Sequence, residues 1–178
     1  MKKLPLLLTT LLASVALAQA QMFTIHLDGA QDGGGLRQGS GDGTLTLSGT
    51  SLTFNNILYS GLSAPVSAGH IHGPAAPGVS VGVIYALTPT FTPTGSTSGA
   101  INGTLNLIPN PVPTSNYSVD QQLADVNNGL WYINLHNSMF PAGEIRGQIL
   151  PVPEPSTLAL AGLGLGGLLL WRARRRAG

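Results

Sequence analysis

Two short apolar runs, Leu4 to Leu17 and Leu158 to Trp171, bracket this chain and leave only Gln21 to Leu150 to fold as a globular unit. Lys2 and Lys3 precede the first run, and Ala18-Gln19-Ala20 follows it as a small-x-small cleavage site. That order is the pattern of a secretory signal peptide over residues 1–20, cleaved before Gln21. The second run follows Val152-Pro153-Glu154-Pro155 and ends in Arg172, Arg174, Arg175 and Arg176. Arginines resist translocation, so this cluster is expected to stay on the cytoplasmic side while the domain lies outside.

The second run is 14 residues, or about 21 Å as helix at 1.5 Å per residue. A hydrocarbon core of about 30 Å asks for nearer 20 residues. Gly162, Gly164, Gly166 and Gly167 fall inside it, and they weaken a helix in water but are tolerated in lipid. A short, glycine-rich span suits a transient hydrophobic sorting helix; the alternative is an ordinary anchor that is never cut. The three parts in this order resemble the PEP-CTERM sorting signal. The resemblance implies a membrane-embedded exosortase as partner, with Pro153, Glu154 and Pro155 as its recognition motif. It also implies anchoring in the inner membrane before processing, and delivery to the outer surface or beyond. The expected divisions are thus 1–20 signal peptide, 21–150 domain, 151–157 sorting motif and linker, 158–171 hydrophobic segment and 172–178 arginine-rich tail.

The full chain carries a formal charge of +1, but the middle does not share it. Between Gln21 and Leu150 only Arg37 and Arg146 are basic, against Asp28, Asp32, Asp42, Asp120, Asp125 and Glu144, a net of −4. A mildly acidic domain without a basic patch argues against nucleic acid and against anionic lipid as partners. There is no cysteine, so the fold relies on its core, and thiol catalysis and thiolate metal ligands are excluded. Gly, Ser, Thr, Asn and Pro are frequent, as in a β protein with many turns.

Alternation of apolar and polar residues, bounded by turn residues, predicts short strands. They fall at Met22–Leu27, Thr44–Leu47, Ser51–Tyr59, Ala68–His72, Val79–Leu87, Ser98–Leu107, Leu130–Leu135 and Glu144–Leu150. Ser48-Gly49-Thr50 makes a tight turn, so its flanking strands form a hairpin. Val79–Leu87 and Ser98–Leu107 read as a second antiparallel pair. Ser118 and Gln121 have capping-box spacing, and Asn127-Asn128-Gly129 supplies a stop, which predicts one helix of about two turns. Seven or eight strands so spaced indicate an all-β, antiparallel sandwich or barrel.

Three stretches together resemble the CHRD domain. They are Leu27-Asp28-Gly29-Ala30-Gln31 with Gly43 to Leu47, Tyr59 to Leu62 leading into Ala68 to Ala75, and Trp131 to Asn137 with Phe140 to Ile149. The Asp32-Gly33-Gly34 segment departs from the usual pattern. The resemblance implies an immunoglobulin-like, Greek-key β architecture in an extracellular protein, and no established reaction.

His70 and His72 are two apart, so on a strand both imidazoles point to one face. His136 lies near the end of another predicted strand. Brought alongside, it would complete a copper or zinc site, with His26 as a fourth candidate. The other reading is structural, each ring donating one nitrogen to a backbone carbonyl. The His-x-His strand and the late histidine before Ala142-Gly143 also resemble copper/zinc superoxide dismutase, in which His70, His72 and His136 would match copper ligands. No counterpart of its bridging histidine, zinc loop or disulfide is present.

Glu144 and Arg146 share a strand face and read as an exposed ion pair or a clamp on the preceding loop. Asp28, Asp32 and Asp42 flank a glycine-rich loop but match no calcium-loop spacing, and read as solvated turn residues. Trp131, Tyr132, Phe54 and Tyr59 read as core or sheet-face aromatics. No Gly-x-Ser-x-Gly elbow or phosphate loop is present. The chain is therefore expected to be an exported, non-enzymatic module of the envelope or matrix, binding a surface polysaccharide or protein and needing no cofactor. The alternative is a copper- or zinc-binding protein.

Overall fold

In the computed structural model, residues 20–33, 35–112, 116–153, 162, 164–168, 172 and 174–176 are described. The strands are β1 Gln21–Asp28, β2 Ser40–Ser48, β3 Ser51–Ser60, β4 Val66–His72, β5 Val83–Ala86, β6 Gly99–Asn106, β7 Tyr132–Asn137, β8 Ile145–Gln148 and β9 Leu150–Pro151. One helix, α1 Val119–Asn127, precedes β7. All strand pairs are antiparallel, and they form one hydrogen-bonded path, β5-β4-β7-β8-β1-β2-β3-β6, with β9 beside β1.

The all-β antiparallel class, the hairpin and the capped helix stand as read from the sequence. Ser48 pairs with Ser51 across Gly49-Thr50. The Ser118 hydroxyl accepts from the Gln121 amide, and the Gln121 side chain accepts from the Ser118 amide. The second expected hairpin is corrected. β5 pairs with β4, and β6 pairs with β3, so the two lie at opposite ends of the path. The intervening segment bridges those ends: the Asn102 amide donates to Phe91 O, and the Val66 amide donates to Ser96 O. A connection rich in Pro and Thr is too long and irregular to impose the register of a tight turn.

Alternation explains the curl. On β1, Phe23, Ile25 and Leu27 point inward, and Leu45, Leu47, Leu52, Phe54, Ile71, Ile101, Ile133, Leu135 and Ile145 join them in one core cluster drawn from both halves of the sheet. Burying this inner face excludes water from aliphatic and aromatic surface, worth about 25 cal/mol per Å². Irregular register between Asp42 and Thr44 and between Phe54 and Ile57 adds twist where β2 and β3 bend. Gly43 sits at that bend because a Cβ there would stand 2.6 Å from Ile57 Cα.

The other face of β4, β7 and β8 is also buried, although it is polar. His72, Asn134, His136, Arg146 and Gln148 are all shielded from solvent. Three loops cover them, formed by residues 29–33 with 35–39, residues 73–82 and residues 138–144. Arg37 Nε donates to Gly143 O at 3.1 Å, and Gln148 Nε2 donates to Ala75 O at 2.9 Å.

At the C-terminal end, the Val152 amide donates to Met22 O at 2.9 Å, so the domain closes just before the sorting motif. Gly162, residues 164–168, Arg172 and residues 174–176 have helical backbone. Among the described residues no helix is long and apolar enough to cross a membrane. The signal peptide with Ala18, the Glu154 and Pro155 of the motif, and most of the hydrophobic segment lie outside the described residues; Ala20 and Pro153 lie within them.

Candidate metal centre

Strand register assembles the imidazoles. In the β4–β7 ladder Ala68 lies opposite His136, His70 opposite Asn134, and His72 opposite Tyr132. Residues directly opposite on paired strands share a face, so His70, His72 and His136 project together from one side. A ring nitrogen from each lies within 4.8 Å of the others. His70 Nδ1 stands 3.0 Å from His136 Nε2. In a tetrahedral site with metal–nitrogen bonds near 2.05 Å, ligand nitrogens are about 3.3 Å apart. One pair is close to that spacing, and the third ring offers a nitrogen within 4.8 Å of both.

Two backbone carbonyls fix the tautomers. His72 Nδ1 donates to Val81 O at 2.9 Å, and His136 Nδ1 donates to Pro141 O at 3.0 Å. A carbonyl only accepts, so the proton sits on Nδ1 in both rings and Nε2 carries the lone pair; that of His136 faces His70. This is the outer-shell arrangement that orients metal-binding histidines. His136 Nε2 accepts from His70 Nδ1 when all three rings are neutral. His72 Nε2 is buried and has no hydrogen-bond partner among the described residues. Burial, then the charges of His136 and His72, push His70 down to about 4. Burial is also the main cause lowering His72, with the Val81 bond opposing it. Both rings are therefore neutral at pH 7, the form that ligates metal.

The surroundings are aromatic and cationic. Tyr132 stacks on His72, with centroids 4.8 Å apart and ring planes within 3°. Arg146 Cζ lies 3.6 Å from the Tyr132 ring centroid. The same guanidinium donates to Val79 O at 2.7 Å and to Ser80 Oγ at 3.3 Å, and Tyr132 OH accepts from the Val81 amide at 3.1 Å. Arg146 and Tyr132 thus hold the segment that presents Val81 O to His72.

Other candidates fall elsewhere. His26 stands outside the trio: its rings meet Asp42 at 2.7 Å and Asp28 at 3.3 Å, and its side chain is more than half exposed. Asp28, Asp32 and Asp42 do not converge. Asp32 is not a solvated turn residue: its carboxylate is buried, 3.7 Å from Arg37 and 3.5 Å from the Asn134 amide, and burial raises its pKa. The exposed Glu144–Arg146 ion pair is corrected too. Glu144 is fully buried and accepts from the Ser63 amide at 2.8 Å, Ser63 Oγ at 2.5 Å, the Gln38 amide at 3.3 Å and Asn137 Nδ2. It clamps three loops, while Arg146 turns to Tyr132. Sequence reading missed Tyr132 and Asn134 as parts of the site. The signal was available: Tyr132, Asn134 and His136 alternate on β7 opposite the His70-x-His72 pair.

An all-β domain with a loop-covered imidazole cluster, closing onto a sorting tail, defines the class of protein. Residues 23–149 match the family model of the CHRD domain, and residues 151–176 match the PEP-CTERM protein-sorting motif. The chain belongs to the CHRD domain family, and it carries the signal for export, transient membrane anchoring and exosortase processing. Comparison with curated proteins and with solved structures gives no match.

Proposed function

We propose that this exported domain binds a copper or zinc ion through His70, His72 and His136, and acts at the outer surface or outside the cell after its tail is processed. The observation that carries the reading is the buried, unpartnered Nε2 of His72 within a trio in which His72 and His136 have their tautomers set by carbonyls. A purely structural histidine also donates Nδ1 to a carbonyl, but it does not need its second nitrogen buried without a partner in a ring that clusters with two more imidazoles. An unsatisfied buried polar atom costs about 1–3 kcal/mol, and a metal ion accepts that lone pair.

The residues fit such an ion. Three neutral nitrogen donors suit copper and zinc, and half-buried His70 gives access from solvent. Copper and zinc titration of the full chain in detergent, beside a His70→Ala/His72→Ala/His136→Ala chain, tests the reading. Stoichiometric binding by the parent alone is expected. Equal, negligible binding by both would return the rings to structural roles.

A further inference from the structure

The charges around the trio distinguish between metal ions. Imidazole ligates as a neutral ring, and among the described residues no carboxylate belongs to the cluster. Arg146 is only 2% exposed and reaches the site through Tyr132, which lies between the guanidinium and His72. The acid placed near the face, Asp32, is paired with Arg37 at 3.7 Å. The charged side chains nearest this face are thus Arg146, with Asp28 across the β1–β8 ladder from it, and the Arg37–Asp32 pair; of these, Arg146 is the one stacked against the ring that covers His72.

The desolvation cost of an ion rises with the square of its charge, and a like charge nearby repels a divalent ion twice as strongly as a monovalent one. A site of neutral ligands beside a buried cation thus favours the smaller charge. Zinc has no monovalent form in water, whereas copper does, and Cu(I) is satisfied by three ligands. We propose that the His70–His72–His136 trio is a cuprous site, holding Cu(I) more tightly than Cu(II). This rests on the metal-binding reading above.

The test is an equilibrium redox titration of copper bound to the full chain in detergent, with copper in imidazole buffer as comparator. The bound copper is expected at the more positive potential. Arg146→Gln removes the cation and is expected to lower that potential by about 59 mV, a tenfold loss of Cu(I) preference for a one-electron couple. A bound potential equal to or below that of the imidazole complex overturns the proposal while leaving metal binding intact. An unmoved potential in a folded Arg146→Gln chain does the same. Should that variant fail to fold, the comparison of the parent with imidazole still decides. No copper bound in either oxidation state would overturn the cuprous proposal, and if zinc is not bound either, the metal-binding reading itself.

Discussion

His70 Nδ1 and His136 Nε2 face each other at 3.0 Å although 66 residues separate them in the chain. Their strands pair directly, and the register sets His136 beside Ala68, one diagonal step from His70. A hydrogen bond between two imidazoles is satisfied in a neutral pair, but it leaves His72 Nε2 alone beside them. Binding energy available to an ion at this point is also folding energy, since the unfolded chain has no assembled trio.

Metal should therefore stabilise the domain. At a free concentration 100 times the dissociation constant, a ligand that binds only the folded state contributes about 2.7 kcal/mol. For a domain of this size that is a rise in Tm on the order of 10 °C. Thermal unfolding with and without a chelator checks it, and His72→Ala should abolish the difference while retaining the β-sheet signal in circular dichroism.

Acid should destabilise the metal-free domain earlier than its carboxylates alone would dictate. His70 is held down at about 4 when folded, against 6.5 in the unfolded chain. Between those values the unfolded chain binds the extra proton, so stability rises with pH through that window and the loss is complete below about pH 4. One such histidine gives a slope of up to about 1.4 kcal/mol per pH unit. Urea unfolding at pH 7, 6, 5 and 4 should show this decline, and His70→Gln should flatten it.

Glu144 should prove costlier to lose than its place beside an arginine in the sequence suggests. Removing the carboxylate strands the Ser63 and Gln38 amides, the Ser63 hydroxyl and the Asn137 amide at once. Glu144→Ala is expected to cost roughly 3–5 kcal/mol, since each buried donor left without an acceptor costs about 1–3 kcal/mol and part of the set can relax towards water. Glu144→Gln, which keeps one acceptor oxygen, should cost less. Guanidinium unfolding of the three chains orders them.

Gly143 should resist substitution for a reason local to the same face. Its φ is +128°, which an L side chain rarely adopts, and a Cβ there would collide with Asp32 Oδ2 and both side-chain atoms of the Asn134 amide. Gly143→Ala is expected to lose about 1–3 kcal/mol by overpacking and strain. It should also weaken metal binding, because Pro141 O, which orients His136, lies in the same loop.

How much of this was legible in the sequence depended on whether a signal was local. The Thr44–Leu47 alternation, the Gly49-Thr50 turn and the Ser118/Gln121 capping box are decided within a few residues, and each stands where it was read. The i, i+2 rule put His70 and His72 on one face. What could not be read was which strands become neighbours: β5 follows β4 closely enough to pair with it, and β6 then finds β3 across the curl. Long-range pairing is set by total burial of the inner face, which no short window contains. For the same reason the sequence leaves Glu144 between an exposed ion pair and a clamp on the preceding loop. Alternation says that a residue faces away from the core, but not that three loops will fold back over it.

Processing should release the domain folded. Strand β9 lies against β1, with Phe23 opposite Pro151 and Thr24 opposite Leu150. Gln21 Nε2 donates to Val152 O at 3.0 Å, which adds a last tie. These contacts end immediately before the Pro153-Glu154-Pro155 motif, so cleavage at or after the motif leaves every one of them in place. A chain terminated after Pro153 is expected to unfold within about 1 °C of the full chain, a difference smaller than the loss of one ordinary hydrogen bond would cause. It should appear in the soluble fraction, whereas the full chain remains with the membrane until processed. A chain terminated before Leu150 loses the β9 ladder and exposes the end of β1, and its Tm should fall by several degrees. Thermal melts of the three chains, with fractionation of the cells that express them, separate the two roles of the C-terminus: closing the sheet up to Val152 and directing transport beyond it.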